Sequence, residues 1–251
     1  MRKPFIAGNW KMHKTIKEAI ELANGLKREL IDIDKADILI CPVFTALSEV
    51  SDVVIESNIK LGAQNVYWEE KGAWTGEIAP LMLKDAGCKY VIIGHSERRK
   101  YFFETDETVN KRIKAALAAG LLPIVCVGET LEEREAQKTI DVVQTQLEGG
   151  LRDINEEENK KIIIAYEPVW AIGTGKTATP AQAQEVHKFI RGRIGEKYSS
   201  RAAENVIILY GGSVKPSNTR ELINEPDIDG FLVGGASLEI GSFSEIVKNS
   251  I

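Results

Sequence analysis

The chain of 251 residues has little cysteine, little histidine and no long apolar run, and each shortage removes a class of function. Its three cysteines, Cys41, Cys88 and Cys126, make no C-x-x-C pair and do not cluster with the three histidines at ligand-like spacing. That pattern argues against a disulfide framework and against structural zinc, and points to a reducing compartment. No stretch approaches the ~18 apolar residues of a membrane-spanning helix. The leading MRKPFIAGNWKMH carries two basic residues but neither an apolar signal core nor a cleavage site, so a soluble, cytoplasmic protein is expected. Excess positive charge is missing too. A formal net charge of −5 and a pI near 5.5 give no bulk attraction to nucleic acid or anionic lipid. An anionic substrate would have to be met by local positive groups.

What is present is a repeat. Eight apolar runs recur: PFIAG at 4–8, ADILICP at 36–42, IKLGAQNV at 59–66, KYVIIG at 89–94, LPIVCVG at 122–128, KIIIAYE at 161–167, NVIILYGG at 205–212 and DGFLVGG at 229–235. Helical stretches lie between them. Thr15 with Glu18, Thr130 with Glu133, and Thr179 with Gln182 behind Pro180 read as capping boxes. The first helix is expected to bury Ile16, Ile20, Ala23, Leu26 and Leu30, and other helices to stop at Gly87 and Gly120. Eight strand-helix units in this length, with no linker or low-complexity break, predict an α/β fold: a closed (β/α)8 barrel of eight parallel strands, one domain over residues 1–251, in preference to an open doubly wound sheet.

In such a barrel ligands meet the carboxyl ends of the strands. The residues there are chemically coherent: Asn9 and Lys11 after the first strand, His95 after the fourth, Glu167 after the sixth, Gly211, Gly212 and Ser213 after the seventh, and Gly234 and Gly235 after the eighth. IIIAYEPVWAIGTG mounts Glu167 on a buried strand just before a proline-hinged loop whose Gly173 and Gly175 allow close backbone approach to a ligand. Glycine turns ahead of short helices offer backbone N–H groups to a phosphate. Removing a proton next to a carbonyl makes an enediolate, which needs a base and a donor or cation where negative charge appears. No metal or organic cofactor is required. GTGKT at 173–177 fails as a Walker loop because Trp170 stands where glycine is required, and the same glycines come too far after their strand for a dinucleotide fingerprint. His187 reads as a partly exposed structural histidine, His13 as a packing neighbour of Lys11, and Cys126 and Glu129 as structural. His95 differs, because a helix start follows it and the positive dipole there disfavours imidazolium.

AGNWKMH, IIGHSERR, AYEPVWAIGTGK, YGGSV and VGGASL together resemble the triosephosphate isomerase family, in order and over the whole chain. The resemblance implies interconversion of dihydroxyacetone phosphate and D-glyceraldehyde 3-phosphate, a step of glycolysis and gluconeogenesis. The family is itself a standard example of pKa tuning, so its roles are carried over from it: Glu167 as the base, neutral His95 polarising the carbonyl, and Lys11 as a fixed cation with Asn9 beside it. The N–H groups of Gly173, Ser213, Gly234 and Gly235 would bind phosphate, and the loop from Pro168 to Ala178 would close over it. An exposed enediol phosphate can lose its phosphate, which is why a lid matters. Glu97 is a favourable first-turn acid that the family pattern also places near the lysine. The long segment 67–80, YWEEKGAWTGEIAP, carries Trp68 and Trp74 and implies a homodimer, with Thr75 approaching the partner's site region. Two other readings stay open: a Schiff-base aldolase using Lys11, and a phosphate-binding barrel without isomerase activity.

Overall fold

Each of the eight apolar runs forms a strand, β1 reaching one residue beyond its run, and each strand pairs in parallel with the next until the last returns to the first. The strands are β1 Phe5–Asn9, β2 Asp37–Cys41, β3 Ile59–Ala63, β4 Tyr90–Ile93, β5 Leu122–Val127, β6 Ile163–Tyr166, β7 Ile207–Tyr210 and β8 Gly230–Val233. Closure runs from Phe5 opposite Gly230 to Gly8 opposite Val233. The computed structural model describes residues 2–172 and 177–251. Two-residue alternation splits the apolar strand residues into two separate clusters. Ala7, Leu39, Ile92, Cys126, Ala165 and Leu209 pack with one another, while Ile6, Ile40, Val91, Val125, Ile164 and Phe231 pack with the helices around them. Burial of both faces is why the runs are continuously apolar.

Helix starts follow the capping chemistry. Thr15 N–H donates to Glu18 at 2.7 Å, Thr130 N–H to Glu133 at 2.8 Å and Thr179 N–H to Gln182 at 3.0 Å. Gly87 and Gly120 end their helices at φ +87° and +76°, where a side chain would be strained. The first helix, Ile16–Leu30, differs from expectation. Its packed stripe is Ala19, Leu22, Ala23, Leu26 and Leu30, whereas Ile20 is half-buried at the edge of the stripe and Ile16, in the first turn, is 45% exposed. Among the described residues, no helix is long and apolar enough to cross a membrane.

His187 also corrects the sequence reading, because it is fully buried. Its Nδ1 lies 3.2 Å from the Asp227 carbonyl, so Nδ1 carries the proton and Nε2 is left bare and buried. The ring meets Tyr166 edge-on. Burial pushes its pKa down to about 3; the Asp227 carbonyl opposes this and the Arg191 cation adds to it. A depressed histidine binds its proton in the unfolded chain first, so its stability contribution is complete above the ordinary value near 6.5 and is lost as pH falls from there toward 3. The loss is about 1.4 kcal/mol per pH unit in that window. His187→Gln should therefore flatten unfolding free energy against pH between about 6 and 4, measured by urea denaturation. An unchanged slope would count against this account.

Candidate active site

The carboxyl ends of β1, β3 and β4 build the cationic side of the site. Asn9, buried at the end of β1, accepts the Lys11 N–H on Oδ1 at 3.0 Å. Lys11 itself lies at φ +52°, a left-handed conformation that costs roughly 1 kcal/mol or more in a non-glycine residue. Gln64, just past β3, braces it by donating Nε2 to the carbonyls of Lys11 at 2.8 Å and Cys41 at 2.9 Å. So held, Lys11 places Nζ 2.5 Å from Glu97 Oε1. Glu97 is thus both a first-turn acid and the lysine's partner.

His95 caps the helix Ser96–Tyr101. Its Nδ1 accepts the Glu97 N–H at 3.2 Å, which leaves the proton on Nε2, and Nε2 donates to Glu167 Oε1 at 2.9 Å. Ser96 N–H donates to Glu167 Oε2, also at 2.9 Å. Burial opposes a charge on His95, but the adjacent Glu167 carboxylate outweighs it and raises the pKa. The expectation from the helix dipole left Glu167 out, since a sequence cannot say that the two side chains touch. The Glu97 carboxylate adds to the raising, while its N–H, donated to Nδ1, favours the tautomer with the proton on Nε2. Burial would raise Glu167 in turn, yet the His95 contact, the Ser96 N–H and Lys11 hold it below its ordinary value. It is a buried carboxylate kept in its basic form.

Gly211, after β7, has a different role from the one expected. Gly211 N–H is already donated to the Tyr166 carbonyl at 2.7 Å. A Cβ on Gly211 would lie 2.9 Å from Glu167 Cγ, and one on Gly212 would meet the Tyr210 hydroxyl at 2.2 Å. This pair makes room for Glu167 and Tyr210. The N–H groups of Gly212, Ser213, Gly234 and Gly235 have no backbone acceptor among the described residues and stay available to a ligand. A Cβ on Gly235 would face open space. Gly173 lies outside the described residues.

Residues 4–250 match the family model described as Triosephosphate isomerase. This chain belongs to the triosephosphate isomerase family. It is 58% identical to the triosephosphate isomerase of Endomicrobium trichonymphae over 250 residues, and 57% identical to that of Geotalea uraniireducens (strain Rf4), in each case over the full length of both chains. The crystal structure of triosephosphate isomerase from Bartonella henselae superposes with a TM-score of 0.90 at 43% identity, covering 98% of each chain. The protein is therefore an isomerase, as the five motifs implied. Lys11 is ion-paired, unlike the neutral amine a Schiff-base mechanism needs.

Sequence reasoning undervalued Glu129. This fully buried carboxylate accepts the Tyr166 hydroxyl at 3.1 Å, Trp170 Nε1 at 2.8 Å and Arg134 Nη1 at 3.0 Å. It ties β6 to the start of the loop that follows Glu167. Gln64 and Ser96 were also missed as site residues; Gln64 could have been suspected as a polar residue at the end of a buried strand, whereas Ser96 acts through backbone and leaves no residue-type signal. Among the described residues no group of three or more His, Cys, Asp or Glu side chains could hold a metal ion.

Proposed function

We propose that this isomerase interconverts dihydroxyacetone phosphate and D-glyceraldehyde 3-phosphate through an enediolate, with Glu167, His95 and Lys11 as its catalytic groups. The observation that carries the reading is the buried Glu167, held below its ordinary pKa in one hydrogen-bonded cluster with His95 Nε2 and the Ser96 N–H. Glu167 leaves its resting contacts to take a proton from one substrate carbon and returns it to the next. His95 Nε2–H polarises the carbonyl and moves protons between the two oxygens. Lys11 stabilises the negative charge of enediolate and phosphate, with Asn9 beside it. Ser213, Gly234, Gly235 and Gly173 bind the phosphate through backbone N–H groups, and the loop from Pro168 to Ala178 closes over it. No cofactor enters the scheme. The test is dihydroxyacetone phosphate added to the protein in D2O, followed by NMR. Isomerisation with deuterium on the transferred carbon supports the reading, and phosphate binding without turnover or exchange overturns it.

The working unit on this reading is a homodimer formed through residues 67–80. The segment is closed at its base by the Tyr67 N–H to Ile78 carbonyl bond and stiffened by Trp68 stacked on Tyr67, yet it leaves Trp74 48% exposed. Met12, beside Lys11, is 92% exposed. Exposed apolar side chains of this size favour a partner. Sedimentation equilibrium should give twice the chain mass at working concentration, and a fully active monomer would refute the dimer. The three cysteines are buried and unpaired, which supports a cytoplasmic location.

A further inference from the structure

Glu167 rests on a seat made by the end of β5. Its N–H donates to the Val127 carbonyl at 2.8 Å, and Val169 N–H donates to the Glu129 carbonyl at 3.1 Å. Between these two bonds, Gly128 packs so closely that a Cβ there would fall 1.8 Å from the Glu167 carbonyl oxygen. Any movement of Gly128 is therefore passed to the backbone of Glu167.

The seat borders an open pocket on one side. A cavity of about 280 Å3 is bounded by Ser96, Cys126, Gly128, Gln146, Glu167 and Val169, among others. Gln146, on the helix Thr139–Gly150, supplies hydrogen bonds there. Its Oε1 accepts the Gly128 N–H at 2.7 Å and its Nε2 donates to the Gly128 carbonyl at 3.1 Å. A side-chain amide can satisfy both polar groups of one residue, much as a neighbouring strand would. An apolar or acceptor-only side chain cannot.

We infer that Gln146 is a positioning residue for the isomerisation: its amide clamps Gly128 and so fixes the backbone from which Glu167 reaches the substrate. The inference rests on Glu167 being the base. Displacing a reacting group by a fraction of an ångström to about 1 Å lowers turnover by up to about 100-fold, so Gln146→Leu, which removes both hydrogen-bonding atoms, should reduce kcat about tenfold. KM should change less than about twofold, because the phosphate groups lie on other strands.

The test measures kcat and KM for Gln146→Leu, Glu167→Asp and the double variant, at a temperature where circular dichroism shows all three folded. The expected result is strong non-additivity, with Gln146→Leu having little further effect once the base is already misplaced. If the two effects multiply, or if Gln146→Leu leaves kcat within twofold, the clamp has no catalytic consequence and the inference fails. If Glu167→Asp itself leaves turnover unchanged, the assignment of the base has failed instead. Gln146→Glu gives a second readout and covers the case in which Gln146→Leu does not fold. Its ionised carboxylate repels the Gly128 carbonyl, whereas its protonated form again both donates and accepts. Its kcat relative to wild type should therefore recover as pH falls from about 8 to about 5. A ratio independent of pH would contradict the clamp.

Discussion

Glu167→Asp is expected to fold as the parent does and to turn over at least ~100-fold more slowly. The backbone at this position is fixed by its bonds to Val127 and, through Val169, to Glu129, so it does not advance to compensate for a shorter side chain. Removing one methylene withdraws the carboxylate by ~1 Å from the geometry in which it meets the substrate carbon. The same withdrawal stretches the resting bonds to His95 and Ser96, which weakens the partners that hold the group ionised. The fold has little reason to change, because the substitution removes volume only where the side chain enters the site. Steady-state turnover, with far-UV circular dichroism and melting as controls, measures this directly. Unchanged turnover would show that Glu167 is not the base.

Lys11→Met should lose more than ~3 kcal/mol of transition-state stabilisation, by analogy with removing a single oxyanion donor. Methionine approximates the length of the lysine stem, and the left-handed backbone remains braced by Asn9 and Gln64, so the change isolates the charge. Both enediolate and phosphate lose a counter-charge, so kcat should fall while KM rises. Glu97 loses its partner but is partly open to solvent, which limits the effect on folding. Activity within tenfold of wild type would contradict the assignment. The two variants separate the functions: the first moves a proton acceptor, the second removes a charge without moving anything else.

The barrel was legible because strand burial on both faces leaves continuous apolar runs and because helix caps use few residue types. All eight runs form strands, and the capping boxes at Thr15, Thr130 and Thr179 form. Asn9, Lys11, His95 and Glu167 signal by residue type at a strand end, and the structure brings them to one end of the barrel. Other readings needed distances. Ile16 and His187 were misplaced because helical spacing gives the direction of a face but not how far its ends reach or how deeply it sinks. Gly211 looked like part of a phosphate turn, although the space it leaves is filled by Glu167 from another strand.

By itself, the sequence determined the closed α/β barrel, the family and the side chains able to do the chemistry, because periodicity, capping and residue type are local properties. Only the tertiary structure decided what those side chains touch. Glu167 against His95, Lys11 against Glu97 and Gln146 against Gly128 are contacts between residues far apart in the chain. They set the ionisation of Glu167, the aim of Lys11 and the backbone contacts of Gly128, and these depend on distances of a few tenths of an ångström that exist only once the barrel has closed.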